Sequence, residues 1–108
     1  MTGVRYLEAA EDELLNEIGY LELRIPGLGR RFFGEVRRVE ALISQFPESA
    51  PELLPGIRKQ ILRKFPFAPI YSIENEGLFV LAVAHHSRQP RYWVPRASQA
   101  KDEPKPGA

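Results

Sequence analysis

No cysteine occurs among the 108 residues, so neither disulfides nor thiolate metal ligands can hold this fold, a composition at home in a reducing compartment. Apolar runs are short. The longest, Leu78 to Ala84, spans seven residues against the roughly 20 that a membrane-spanning helix needs, and no charged-then-apolar leader stands before Val4. There is no glycine-rich phosphate loop ahead of a helix, no nucleophile-elbow motif and no Cys or Ser arrangement suited to a triad. The expectation from these absences is a soluble cytoplasmic chain without membrane attachment, of a size suited to one domain around one core.

What the chain does have is unevenly placed. The net charge is +1, yet residues 1–52 hold 6 Lys or Arg against 10 Asp or Glu, a net −4, while residues 53–108 hold 9 against 4, a net +5. In a compact fold such halves become opposite faces, and a basic face suits a polyanion or an acidic protein partner.

The periodicity predicts β-α-α-β-β-β. Val4-Arg5-Tyr6-Leu7 reads as a short strand. Glu8, Glu11, Asp12 and Glu13 then crowd a helix N-terminus, where carboxylates oppose the positive end of the helix dipole. Leu14, Ile18, Leu21 and Ile25 recur at steps of 4, 3 and 4, one helical stripe, and Pro26-Gly27 stops it. A second stripe, Phe32, Val36, Val39, Ile43 and Phe46, starts near Leu28, so the two helices form an antiparallel hairpin. The carboxylates of the first helix are taken as a solvated face. Pro47, Pro51 and Pro55 make residues 47–56 a loop. Ile57, Ile61 and Phe65 in phase predict a strand from Gly56 onward. Ile70-Tyr71-Ser72-Ile73-Glu74 predicts the next, and Asn75-Glu76-Gly77 a hairpin turn. Leu78–Ala84 is the expected central strand, apolar on both faces. After it come His85, His86, Arg88, Arg91, Tyr92, Trp93 and Arg96, with no acid among them. Two prolines limit residues 89–96 to at most one helical turn. Residues 97–108 lack apolar payload and are expected to be a disordered tail after a single domain over residues 1–96.

One ordered set of residues goes further. A helical hairpin ending Phe46-Pro47, the Ile57-Arg58 strand, Phe65-Pro66-Phe67, Tyr71 after Ile70, Leu81-Ala82-Val83-Ala84-His85, then Arg88, Pro90, Tyr92-Trp93 and Arg96 resembles the RelE/ParE toxins of bacterial type II toxin–antitoxin modules, the plasmid-stabilisation type included. The resemblance runs from about Val4 to Arg96. It implies an α+β fold in which an N-terminal strand and the helical hairpin pack on an antiparallel sheet of about four strands. It also implies a growth inhibitor neutralised by a cognate antitoxin, with no cofactor. Two targets follow from the two branches: ParE-like members poison DNA gyrase, and RelE-like members are ribosome-dependent endoribonucleases that cut mRNA in the A site. The pattern from His85 to Arg96 looks closer to the ParE-like branch. A toxin-fold relic without activity is the third possibility.

For a nuclease, metal-free RNA cleavage needs a base, positive charge at the phosphorane and an acid for the leaving oxygen. The resemblance nominates Arg63, His85, Arg88 and Tyr92, with Arg63 and Arg88 converging from neighbouring sheet elements. Arg58, Lys59, Lys64, Arg91 and Arg96 are the candidates for holding phosphate or a protein target; the plain alternative for those on the expected second strand is a solvated face. Tyr92 and Trp93 are equally suited to pinning the C-terminal turn. His85 and His86, adjacent on a strand, point to opposite faces and cannot easily share a metal, so no metal site is expected.

Overall fold

The structure, a computed structural model, describes residues 3–102. Strand β1 (Gly3–Tyr6) leads into α1 (Glu8–Arg24) and α2 (Leu28–Gln45), followed by β2 (Glu52–Leu54), β3 (Ile57–Lys59), β4 (Phe67–Glu74), β5 (Gly77–His85) and α3 (Val94–Asp102). The five strands form one sheet in the order β1-β5-β4-β3-β2. The fold is thus the expected α+β arrangement of N-terminal strand, helical hairpin and mostly antiparallel sheet, with one parallel pairing, that of β1 on β5.

The stripe on α2 is the firmest part of the core: Phe32, Val36, Val39 and Ile43 are all but inaccessible, and they meet Leu14 and Ala10 of α1 and the apolar run of β5. Phe32 places its ring edge-on against Phe65 and Phe67, both at 5.2 Å, a geometry that aromatic quadrupoles favour. The hairpin closes tightly because Gly29 has no side chain; a Cβ there would sit 2.4 Å from the carbonyl oxygen of Ile18. Glu22, one of the carboxylates expected to be merely solvated, instead accepts from the amides of Gly27 at 2.7 Å and Gly29 at 3.0 Å. It supplies partners for amides at the start of α2 that have none within the helix, and those bonds hold its carboxyl below the ordinary range.

Several elements depart from the expectation. The stretch 47–56, expected as loop, contains β2, a three-residue edge strand between Pro51 and Pro55; prolines that lack an amide donor are tolerated there because one side of an edge strand needs none. The strand expected from Ile57 to Phe65 ends at Lys59. Beyond it the amides of Gln60 and Leu62 still donate to Pro69 and Phe67, but Lys64 takes a φ of +66°, which no extended strand accommodates. Ile61 is consequently half exposed and Leu62 takes the buried place. Phe46, the last member of the α2 stripe, lies past the helix end and is also exposed. Helix α3 runs past Arg96 to Asp102, with Ala97 against the core. The remainder of the expected tail, residues 103–108, lies outside the described residues.

Strand β5 carries a further irregularity. Its pairing with β4 sets Tyr71 opposite Val80 and Ile70 opposite Ala82, so Leu81 has no opposite residue. Such a bulge leaves its extra residue out of the ladder and bends the strand. β1 has ended by this point, its last pair being Tyr6 with Val80, and the exposed edge of β5 is left to other partners.

Candidate functional site

Glu13 supplies those partners. Its Oε1 accepts from the Val83 amide at 3.0 Å and from Arg96 Nη1 at 3.0 Å, and its Oε2 accepts from the Tyr92 hydroxyl at 2.9 Å and from Arg96 Nη2 at 3.1 Å. Arg96 Nη1 donates in addition to the Leu81 carbonyl at 3.1 Å. A carboxylate and a guanidinium paired in a two-pronged fork therefore satisfy the backbone of β5 where no strand does. Such charge-assisted, geometrically matched bonds are the strong ones. The arrangement ties three distant pieces, α1, β5 and the C-terminal segment, to one carboxylate.

Tyr92 lies at the centre of a cationic stack. The Arg88 guanidinium sits 4.0 Å from its ring centroid and that of Arg96 5.1 Å, and Arg88 Nη1 is 3.9 Å from Glu13. Burial, then the hydrogen bond to Glu13, pushes the phenol up to about 12. It keeps its hydrogen at any physiological pH. Trp93, the next residue, is buried in the core.

Beside this cluster a groove of about 270 Å³ runs between the C-terminal segment and strands β2 to β5. Its floor includes Leu54, Ile70 and Trp93; its rim carries Lys59, His86, Arg88 and Arg91, and no carboxylate lines it. His85 also lines it, with its ring edge-on to Phe67 at 4.8 Å. His85 Nδ1 accepts from the Ser87 amide at 2.9 Å, which puts the hydrogen of a neutral ring on Nε2. Arg91 holds a φ of +66° and is exposed, so the loop presents its side chain outward.

The residues nominated from sequence fall into three groups. Arg88, Tyr92 and Arg96 come together around Glu13. Lys59, His85 and Arg91 line the adjacent groove. Arg58, Arg63 and Lys64 do neither. Arg58 donates to the carbonyls of Glu48 at 3.0 Å and Ala50 at 2.7 Å and thereby fixes the loop after α2, which Tyr71 also holds through the Pro47 carbonyl at 2.7 Å. Arg63 is attached to α2, its amide donating to Glu35 Oε2 at 2.6 Å, while its side chain is exposed, as is that of Lys64. Arg63 does not line the groove that Arg88 lines. Glu13 was not among the candidates. The only trace of it in the sequence is its position three residues after Ala10 and next to Leu14, at the margin of the inward stripe rather than on the open face. Among the described residues no group of three or more His, Asp or Glu side chains is placed to hold a metal ion, and no helix is long and apolar enough to cross a membrane.

Comparison with known proteins follows the same lines. No curated protein matches the chain at a significant level. Among solved structures, a chain from the chromosomal ParDE toxin–antitoxin system of P. aeruginosa superposes with a TM-score of 0.66 over 79% of this chain and 96% of that one, at 18% sequence identity; at that identity the likeness is one of fold. The model of the ParE toxin of type II toxin–antitoxin systems matches residues 4–90. The match includes Glu13, the bulged strand and Arg88, and it stops before Tyr92 and Arg96. With most of its length matched, this chain belongs to the ParE toxin family.

Proposed function

We propose that this chain is the toxin of a type II toxin–antitoxin pair that inhibits growth by binding DNA gyrase, and that a cognate antitoxin neutralises it. The observation that carries the reading is the engagement of Tyr92 and Arg96 by Glu13. A metal-free ribonuclease needs an acid that can release its proton to the leaving oxygen and cations free to meet developing charge. Here the phenol already gives its hydrogen to a carboxylate and is a weaker acid than ordinary tyrosine. One arginine is neutralised by that same carboxylate, and Arg63 stands apart from Arg88. The cations left at the surface, Lys59, Arg88 and Arg91 around an apolar groove, suit adhesion to an anionic protein surface, in which charge sets the encounter and apolar contact the residence time.

The test is to run the native protein in a gyrase supercoiling assay and in a translating-ribosome mRNA cleavage assay. Inhibited supercoiling without cleavage is expected. Arg88→Ala and Arg91→Ala should weaken that inhibition, most at low salt, because at higher salt screening already removes what exposed charges contribute. Ribosome-dependent cuts, reduced on the order of a hundredfold by Arg88→Ala, would replace this reading with the endoribonuclease one. Inactivity in both assays would favour a relic. For the antitoxin, co-expression with the adjacent open reading frame should give a complex that survives gel filtration at micromolar concentration; two separately eluting proteins would count against it.

A further inference from the structure

The outer face of α1 is not used by the fold or by the site just described. Leu23 is 89% exposed and Leu15 56%, and Gly19 lies midway, four residues from each. Residues four and eight apart share one face of a helix, so these three form a short apolar strip directed away from the core. A Cβ at Gly19 would meet nothing within 4 Å; the glycine thus opens a shallow saddle between two leucines. Large exposed apolar side chains grouped in this way mark contact surfaces rather than ordinary solvated ones.

The strip has a symmetry of its own, since Leu-x-x-x-Gly-x-x-x-Leu reads the same in both directions. We infer that this face pairs with the α1 of a second copy of the same chain, antiparallel, across a two-fold axis at Gly19. In that arrangement Leu15 of one copy meets Leu23 of the other twice over, the self-complementarity that an isologous interface demands, and the two glycines allow the axes to approach to the near end of the usual 8–10 Å range. The charges agree with the antiparallel sense. Glu8, Glu11 and Asp12 are exposed at the start of α1, and Arg24, Arg30 and Arg31 are exposed at the hairpin tip. Antiparallel packing brings the acidic end of each copy against the basic tip of the other, whereas parallel packing would set like against like. A single helix crossing buries less than a standard interface, so the dimer is a weak one. The inference concerns the toxin without its antitoxin and does not depend on gyrase as the target.

The test uses the absence of cysteine in the natural chain. Sedimentation of this 108-residue chain across about 1 µM to about 1 mM should show reversible monomer–dimer exchange that weakens with salt, and Leu23→Glu should remain monomeric throughout. The side chain is exposed, so the variant should keep the native circular dichroism and Trp93 fluorescence. Gly19→Cys should form a disulfide-linked dimer under mild oxidation, much faster than Leu53→Cys on β2, the strand at the far edge of the sheet from β1. A toxin that is monomeric over the whole series, or one in which the two cysteine variants cross-link at equal rates, would overturn the inference. So would a face that engages only the antitoxin, which would leave the isolated toxin monomeric.

Discussion

The phenol of Tyr92 donates to Glu13 Oε2 at 2.9 Å although 79 positions separate the two residues. With the Arg96 fork and the Val83 amide on the same carboxylate, this is the joint at which the C-terminal segment is fastened to the body of the molecule. Glu13→Gln keeps the shape but removes the charge, and should cost about 2–3 kcal/mol of folding stability, the range for breaking a partly buried ion pair so that its cation is left unpaired. Urea unfolding followed by Trp93, the one tryptophan of the chain, reads this directly. A loss below about 0.5 kcal/mol, the level of an ordinary surface substitution, would mean that the joint is not cooperative with the fold.

The two arginine partners of Glu13 should behave differently from each other. Arg96 makes close, paired bonds, whereas Arg88 approaches only to 3.9 Å and is half exposed. A double-mutant cycle of Glu13→Gln with Arg96→Ala should therefore give a coupling of about 1–3 kcal/mol, and the cycle with Arg88→Ala less than about 0.5 kcal/mol. Equal couplings would show that the cluster is a diffuse charge balance with no specific fork.

Alkaline pH should loosen the same joint. The folded-state acidity of Tyr92 is pushed from the ordinary 10 up to about 12, so between those values the native state holds a proton that the unfolded chain has lost. Stability linked to this group is fully present below about pH 10 and declines as pH rises toward 12. Tyr6, partly buried and donating to Glu40, is shifted in the same direction and adds to the loss. Melting temperature against pH should fall more steeply above pH 10 for the native chain than for Tyr92→Phe; identical profiles would remove Tyr92 from the cause. At the acidic end the sign reverses for Glu35. Its carboxyl is lowered chiefly by the hydrogen bond from Arg38, so its contribution is present above the ordinary carboxylate range and is lost as pH falls through its depressed value.

Two glycines on α2 should respond oppositely to alanine. In an open helix the change stabilises by about 0.5–1 kcal/mol, and Gly34, with nothing within 4 Å of a would-be Cβ, should show that gain. Gly29 should lose about 1–3 kcal/mol, because the methyl would meet the Ile18 carbonyl oxygen at 2.4 Å and force the hairpin apart. Thermal unfolding of the two variants suffices. A stabilised Gly29→Ala would show that the helices are less closely seated than described.

What the sequence disclosed and what it hid divide along sequence distance. The α2 stripe and the apolar run of β5 were legible because helix and strand periods are local, and burial bears out both. The family was legible from the ordered set that runs from the helical hairpin to Arg96, and the family match bears it out. Glu13 was hidden since its partners lie 70 to 83 positions away, and a carboxylate in the first turns of a helix has an adequate local explanation in the dipole. Arg58 read as a member of a basic strand face, yet its donors turn back to the loop carbonyls of Glu48 and Ala50, a fate that depends on the path of a loop and on no pattern. Strand β2 escaped notice because its flanking prolines are breakers everywhere except at a sheet edge, and which strand lies at the edge is a property of the assembled sheet.

The parallel pairing of β1 with β5 also sets an order of events in time. Gly3 to Tyr6 have no strand partner until residues 77–80 exist, and Glu13 waits longer still, for Arg96. Contacts between the two ends of a chain close large loops and come late in folding. A chain emerging from the ribosome therefore carries an unfastened N-terminus for most of its synthesis, and the cationic segment at its far end assumes its final form among the last events. Between release and closure there is an interval in which every one of these residues is present while the joint at Glu13 still stands open.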